Sequence, residues 1–133
     1  MKRTKIIVLS AITVLASLGA AGLMAQSGSL TRTMVGKFDL SIAGREAVIA
    51  RVEVAGGGRA GRHTHPGDEI SYILEGEATL TIDGERPKVV KAGESFVIPA
   101  GVVHDAHNMT GAPLKLIGVY VIEKGKPLAS PAP

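Results

Sequence analysis

The sequence predicts an all-β domain, and three observations carry that prediction. Residues 47–54 alternate, with Val48, Ala50, Val52 and Val54 on one face and Arg51 and Glu53 on the other. Ala78, Leu80 and Ile82 oppose Thr79 and Thr81 in the same way, and Asp83 and Gly84 then mark a hairpin turn into residues 88–90. After residue 25 no stretch holds an apolar period of 3.6, so no helix is expected there. At 133 residues, without an internal repeat, the chain has room for one core.

In chain order, residues 1–25 read as an export signal. Lys2, Arg3 and Lys5 form a basic start, residues 6–18 an apolar run, and small residues follow, with a cleavage site after Ala25 in Leu23, Met24 and Ala25. The competing reading is an uncleaved anchor, because residues 6–25 are just long enough to span a bilayer. Gly19 and Gly22 weaken a helix there and favour cleavage, which implies a periplasmic or secreted protein without stable membrane association. The 133 residues include no cysteine, so lipid attachment through cysteine, disulfides and thiolate ligands are all excluded.

Residues 26–33 are polar and read as a flexible arm. Strand signals begin near Met34 and recur to Ile122, giving a β domain over residues 34–123 in which 96–99 and 114–122 supply further strands. Residues 124–133, ending PLASPAP, lack alternation and read as an extended or disordered tail. The glycine run 56–58 is followed by neither Gly-Lys-Ser/Thr nor a helix, so it is no phosphate loop. Without Lys2, Arg3 and Lys5, twelve basic residues face twelve acidic ones, so the precursor's basic character belongs to its leader. No basic run and only four Phe and Tyr residues argue against nucleic acid.

The functional signal lies in the histidines. All four fall in two stretches: residues 57–76 hold His63 and His65, and residues 93–108 hold His104 and His107. On a strand, residues i and i+2 share a face about 6.5–7 Å apart, so His63 and His65 can aim at one point. Pro66 and Gly67 reverse the chain, which lets Glu69 return with a carboxylate, and His104 would join from a third strand. Three imidazoles and one carboxylate suit a first-row divalent metal better than calcium. His107 points away from His104 if its strand runs straight, and is not expected to be a ligand.

The spacing resembles the cupin family. Gly57, His63, His65, Glu69 and Gly76 fit its first motif, G-x5-H-x-H-x3-E-x6-G; Gly93, Pro99, Gly101, His104 and Asn108 fit its second, G-x5-P-x-G-x2-H-x3-N. The resemblance covers about residues 33–123. It implies a double-stranded β-helix, the jelly-roll barrel, and one divalent ion (Fe, Mn, Ni, Cu or Zn) held by His63, His65, Glu69 and His104. It also favours a homodimer. Strand parity agrees, since Glu69, Ser71 and Ile73 pointing inward would leave Tyr72 and Leu74 outside wanting cover.

Four protein ligands on an octahedral ion leave two positions open, which suits a small oxygen-donor ligand. Ile73, Phe96, Ile98, Val102 and Ala106 are the expected apolar lining by parity. Glu69 or His107, if free of metal, could act as general base. The expected function is an exported metal-binding cupin, a small-molecule metalloenzyme of quercetin-dioxygenase-like type. The alternatives are a metal-dependent isomerase or decarboxylase, and a non-catalytic module that binds metal or a small ligand.

Overall fold

A computed structural model describes residues 29–133; the export-signal reading over residues 1–25 lies outside them. The described chain contains ten strands and no helix. They are β1 (Leu30–Asp39), β2 (Arg45–Val54), β3 (His63–Thr64), β4 (Gly67–Glu75), β5 (Glu77–Ile82), β6 (Lys88–Lys91), β7 (Ser95–Ile98), β8 (His104–His107), β9 (Leu114–Glu123) and β10 (Ser130–Pro131). They form two antiparallel five-stranded sheets, in the orders β1-β2-β9-β4-β7 and β10-β3-β8-β5-β6. This is the jelly-roll architecture.

The alternating runs become the inner faces. Val48, Ala50, Val52 and Val54 of β2 are all buried, as are Ala78, Leu80 and Ile82 of β5. They meet Leu114, Leu116 and Ile122 of β9 and Phe96 and Ile98 of β7 in one core. Burial of apolar area drives this packing, while the ladders satisfy the backbone groups it takes from water. β2 and β9 pair over ten residues without a slip, from Arg45 with Glu123 to Val54 with Leu114. On β4, Glu69, Ser71 and Ile73 are buried while Ile70, Tyr72 and Leu74 are exposed, so the parity expected for this strand holds.

Two segments differ from expectation. The arm at 26–33 is not loose throughout: from Leu30 it is β1, paired with β2 from Leu30 with Val54 onward. Its alternation of Leu30, Arg32 and Met34 with Thr31 and Thr33 was the strand signal, obscured by polarity. The tail at 124–133 is extended but not free. It turns at Glu123 and Lys126, packs Leu128 on the core, and ends as β10 against β3. A two-residue strand has too few residues to show alternation, and its partner, β3, is equally short.

Gly67 and Gly101 show why turn chemistry matters around the site. At Gly67 a Cβ would lie 1.9 Å from the Val121 carbonyl oxygen, so only glycine lets β4 start against β9. Gly101 sits at φ 75° and donates its N–H to the His65 carbonyl at 2.9 Å, tying the turn before β8 to the segment carrying His65. Asn108 is wholly buried; its amide donates to the Val54 and Ala112 carbonyls at 3.0 and 2.7 Å. Its oxygen accepts from the Thr110 N–H at 3.0 Å. The motif asparagine therefore staples the loop between β8 and β9.

Candidate metal centre

His63 comes from β3, His65 from the residue after β3, Glu69 from β4 and His104 from β8, so both sheets contribute. The register brings them together: His63 pairs with His104 across β3 and β8, and Glu69 lies opposite Ile98 on one side and Tyr120 on the other. One donor atom from each of the four lies within 4.8 Å of every other. His65, Glu69 and His104 are buried and His63 is partly so. His107 stays outside this group. Its Nδ1 lies 3.1 Å from Nη2 of Arg59, which also pairs with Asp105 at 3.4 Å.

Backbone carbonyls set the ring orientations. His63 Nδ1 donates to Gly61 O at 2.6 Å, His65 Nδ1 to Leu128 O at 2.6 Å, and His104 Nδ1 to Val102 O at 3.0 Å. A carbonyl can only accept, so each Nδ1 carries the hydrogen and each neutral ring keeps its lone pair on Nε2. The Nε2 atoms of His65 and His104 lie 3.0 and 3.1 Å from Glu69 Oε2. The other carboxylate oxygen, Oε1, accepts from the Ser71 hydroxyl at 2.6 Å.

In the neutral rings, lone pairs therefore face a carboxylate oxygen, and either protons or a cation must stand between them. Buried His65 Nε2 is close to Glu69 but not aligned to hydrogen-bond with it, and so lacks a partner. A divalent ion would take these lone pairs at once, and the donor set fits such an ion.

The charges agree with that fit. Burial pushes the Glu69 carboxyl up, but the close polar contacts with His104, His65 and the Ser71 hydroxyl outweigh it and hold the group well below the usual carboxylate range. Burial lowers His63 to about 4, with the neighbouring His104 and His65 adding to the shift and the Gly61 carbonyl opposing it. A neutral imidazole beside an ionised carboxylate is the protonation state that metal binding requires.

A cavity of about 30 Å³ adjoins His63, Glu69 and His104. Phe96 and Ala106 line it as expected; Ile73, Ile98 and Val102 do not, and Leu30, Val52, Leu116 and Tyr120 take up wall instead. Ile73 and Ile98 belong to the core proper. Two polar members, Arg32 of β1 and Tyr120 of β9, escaped the sequence reading. The Arg32 guanidinium lies 5.9 Å from the Tyr120 ring centroid, and its buried Nε has no hydrogen-bond partner. Burial raises the Tyr120 hydroxyl well above its ordinary value, helped by the Glu69 charge and opposed by Arg32. It remains a neutral phenol at physiological pH.

Residues 50–120 match the cupin domain family, and the chain belongs to it. Among curated relatives, a germin-like protein of Arabidopsis thaliana (subfamily 2 member 2) is 36% identical over 77 residues, covering 54% of this chain and 35% of that protein. The chain thus spans about a third of that relative's length. A recombinant oxalate oxidase in complex with glycolate is 25% identical with a TM-score of 0.64, covering 80% of this chain and 57% of that one. The oxalate decarboxylase of Lactobacillus farciminis in a formate complex is 26% identical with a TM-score of 0.57, over 64% of this chain and 26% of that one.

Proposed function

We propose that this cupin holds one divalent transition metal at His63, His65, Glu69 and His104 and acts there on a small carboxylate-bearing molecule. The observation that carries the ligand class is Arg32. Its guanidinium lines the same cavity as three of the four ligands, its Nε is buried without a partner, and no carboxylate pairs with it among the described residues. A partly buried guanidinium that meets no carboxylate is open to an anion, and a carboxylate is its natural bidentate partner. Three neutral imidazoles and one carboxylate leave a divalent ion one positive charge, and Arg32 adds a second. An anion entering the cavity is therefore attracted from two sides.

Size points the same way. About 30 Å³ accommodates about two waters, so the part of the ligand nearest the metal is small. Two structural neighbours, the oxalate oxidase bound to glycolate and the oxalate decarboxylase bound to formate, support small carboxylates as the class to try first. When bound, the ion would polarise a ligand oxygen as a Lewis acid and, if redox-active, could also serve an oxygenase. Arg32 would orient the carboxylate, and Phe96, Leu116 and Tyr120 would exclude water beside it.

The quercetin-dioxygenase-like version uses the same donors but a larger ligand, and an isomerase, a decarboxylase or a binding module would share the metal site. The protein would be exported after cleavage near Ala25, and two copies would pair through the exposed Tyr72 and Leu74 face.

The deciding experiment titrates manganese-, iron- and zinc-loaded protein with glycolate, oxalate, formate and quercetin, following the metal spectrum, oxygen uptake and product. Glycolate or oxalate should perturb the metal, and Arg32→Met should weaken that binding about 10-fold or more while sparing metal content. Tighter binding of quercetin, or carboxylate binding indifferent to Arg32, would sink the carboxylate assignment. Ligands that bind yet are recovered unchanged with every ion would replace the enzyme by a binding module.

A further inference from the structure

His63 and His65 are carried by the weakest part of the barrel. β3 has two residues and touches β8 through the single His63–His104 pair. Its other edge is covered by β10, with Ser130 opposite Thr64 and Pro131 opposite His63. The same segment continues the contact on both sides. Ala132 N–H donates to the Arg62 carbonyl at 3.0 Å, and the Arg62 guanidinium donates to the Pro133 carbonyl. Arg62 is itself held by two bonds of 2.9 Å to Asp83 beyond β5. Upstream, Leu128 packs on the core and its carbonyl accepts the His65 Nδ1 hydrogen at 2.6 Å.

We propose that residues 126–133 are a positioning strap for the metal site. By seating Leu128, they fix the His65 ring with its Nε2 lone pair facing Glu69, and by pairing as β10 they hold His63 in register. The inference rests on the metal-binding reading above and adds to it a segment that neither motif includes. The other two histidines receive their carbonyl partners locally, from Gly61 and Val102, two residues away from each ring. Only His65 depends on a carbonyl from a distant part of the chain, 63 positions on. Partners of this kind set both tautomer and ring angle, and their loss typically weakens metal binding by about 10–100-fold.

The test uses the full chain. Leu128→Gly removes the seating side chain and loosens the backbone, whereas Leu128→Met keeps both contacts available. Histidine ring NMR of metal-free protein should show a His65 Nδ1–H shielded from exchange in the parent and in Leu128→Met, and lost in Leu128→Gly. Manganese and zinc affinity should fall about 10–100-fold in Leu128→Gly and stay within about 2-fold of the parent in Leu128→Met. The strap is overturned if His65 in the parent carries its hydrogen on Nε2 or exchanges freely, a result that needs no variant to fold. It is also overturned if Leu128→Gly keeps the shielded Nδ1–H and the parental affinity. Should the parent bind no metal at all, the site reading fails, whereas the His65 ring signal still reports whether the strap is seated.

Discussion

The two sheets contribute to the same site but are built very differently. In the first, β2 and β9 pair over ten residues, β4 lies between β9 and β7, and the inner face is continuous core. That sheet supplies Glu69 and Tyr120. In the second, β3, β6, β8 and β10 are short, and the strand carrying His63 is joined to β8 by one pair. That sheet supplies His63 and His104, with His65 just beyond β3. The lesson is that the carboxylate is fixed by the scaffold, whereas the imidazoles depend on small local contacts and on the cation they would share. In this comparison the proposed metal would be the element that ties the weaker sheet to the stronger.

The largest effect should come from breaking the strong side. Gly67→Ala would place a methyl 1.9 Å from the Val121 carbonyl oxygen, inside a ladder that runs without a shift from Gly67 to Ile73. A cost at or above the upper end of overpacking, about 3 kcal/mol, is expected, with loss of soluble folded protein as an acceptable extreme. Urea denaturation measures it; a variant as stable as the parent would show that the start of β4 is freer than its geometry indicates.

Breaking the weak side should leave the scaffold standing. His104→Ala removes one donor and the residue opposite His63, so metal content after dialysis should drop about 100-fold or more. Chelation of the parent should then speed amide exchange in β3 and β8 while β2 and β9 stay protected. Equal loosening of both sheets would contradict the division drawn here.

Much of this was legible in the sequence, for identifiable reasons. β2 and β5 are amphipathic, so period-2 alternation revealed both strand and inner face. The four ligand candidates were marked by motif spacing, and the structure brings their donor atoms together. What was missed has a physical cause in each case. Along β9, Ile117, Val119 and Val121 on one face are as apolar as Leu114, Leu116 and Ile122 on the other, so parity could not say that Tyr120 points inward. Arg32 was discounted because a charged residue between threonines resembles a solvated arm, although the alternation was present. The tail's role depends on a backbone carbonyl, which no side-chain pattern encodes.

Acid should weaken the site before it weakens the scaffold. In metal-free protein, His63 is lowered to about 4 from an ordinary value near 6.5. Between those two pH values the unfolded chain binds a proton that the folded chain refuses, so stability falls as pH drops through that window and levels off below it. Glu69, also lowered, adds a loss in the same direction as pH falls below the ordinary carboxylate value. The His63 contribution is at most about 3 kcal/mol. Urea midpoints at pH 7.5, 5.5 and 4 check it, and His63→Gln should flatten the upper part of the curve. An unchanged slope in that variant would move the acid sensitivity elsewhere.

The smallest effect should come from His107→Ala, and it is the sharpest control for position against chemistry. His107 lies on the same strand as His104, has the same side chain, and sits at the end of β8. Its ring meets Arg59 on the outer side, where the guanidinium keeps Asp105 as a second partner. An exposed contact of this kind contributes little, and surface substitutions away from special features stay within about 0.5 kcal/mol. Metal affinity should therefore remain within about 2-fold of the parent, an expectation read by the same dialysis that detects the His104→Ala loss. If His107→Ala instead sheds metal as His104→Ala does, β8 must turn both rings toward the cavity, and the assignment of donors to the two sheets would have to be redrawn.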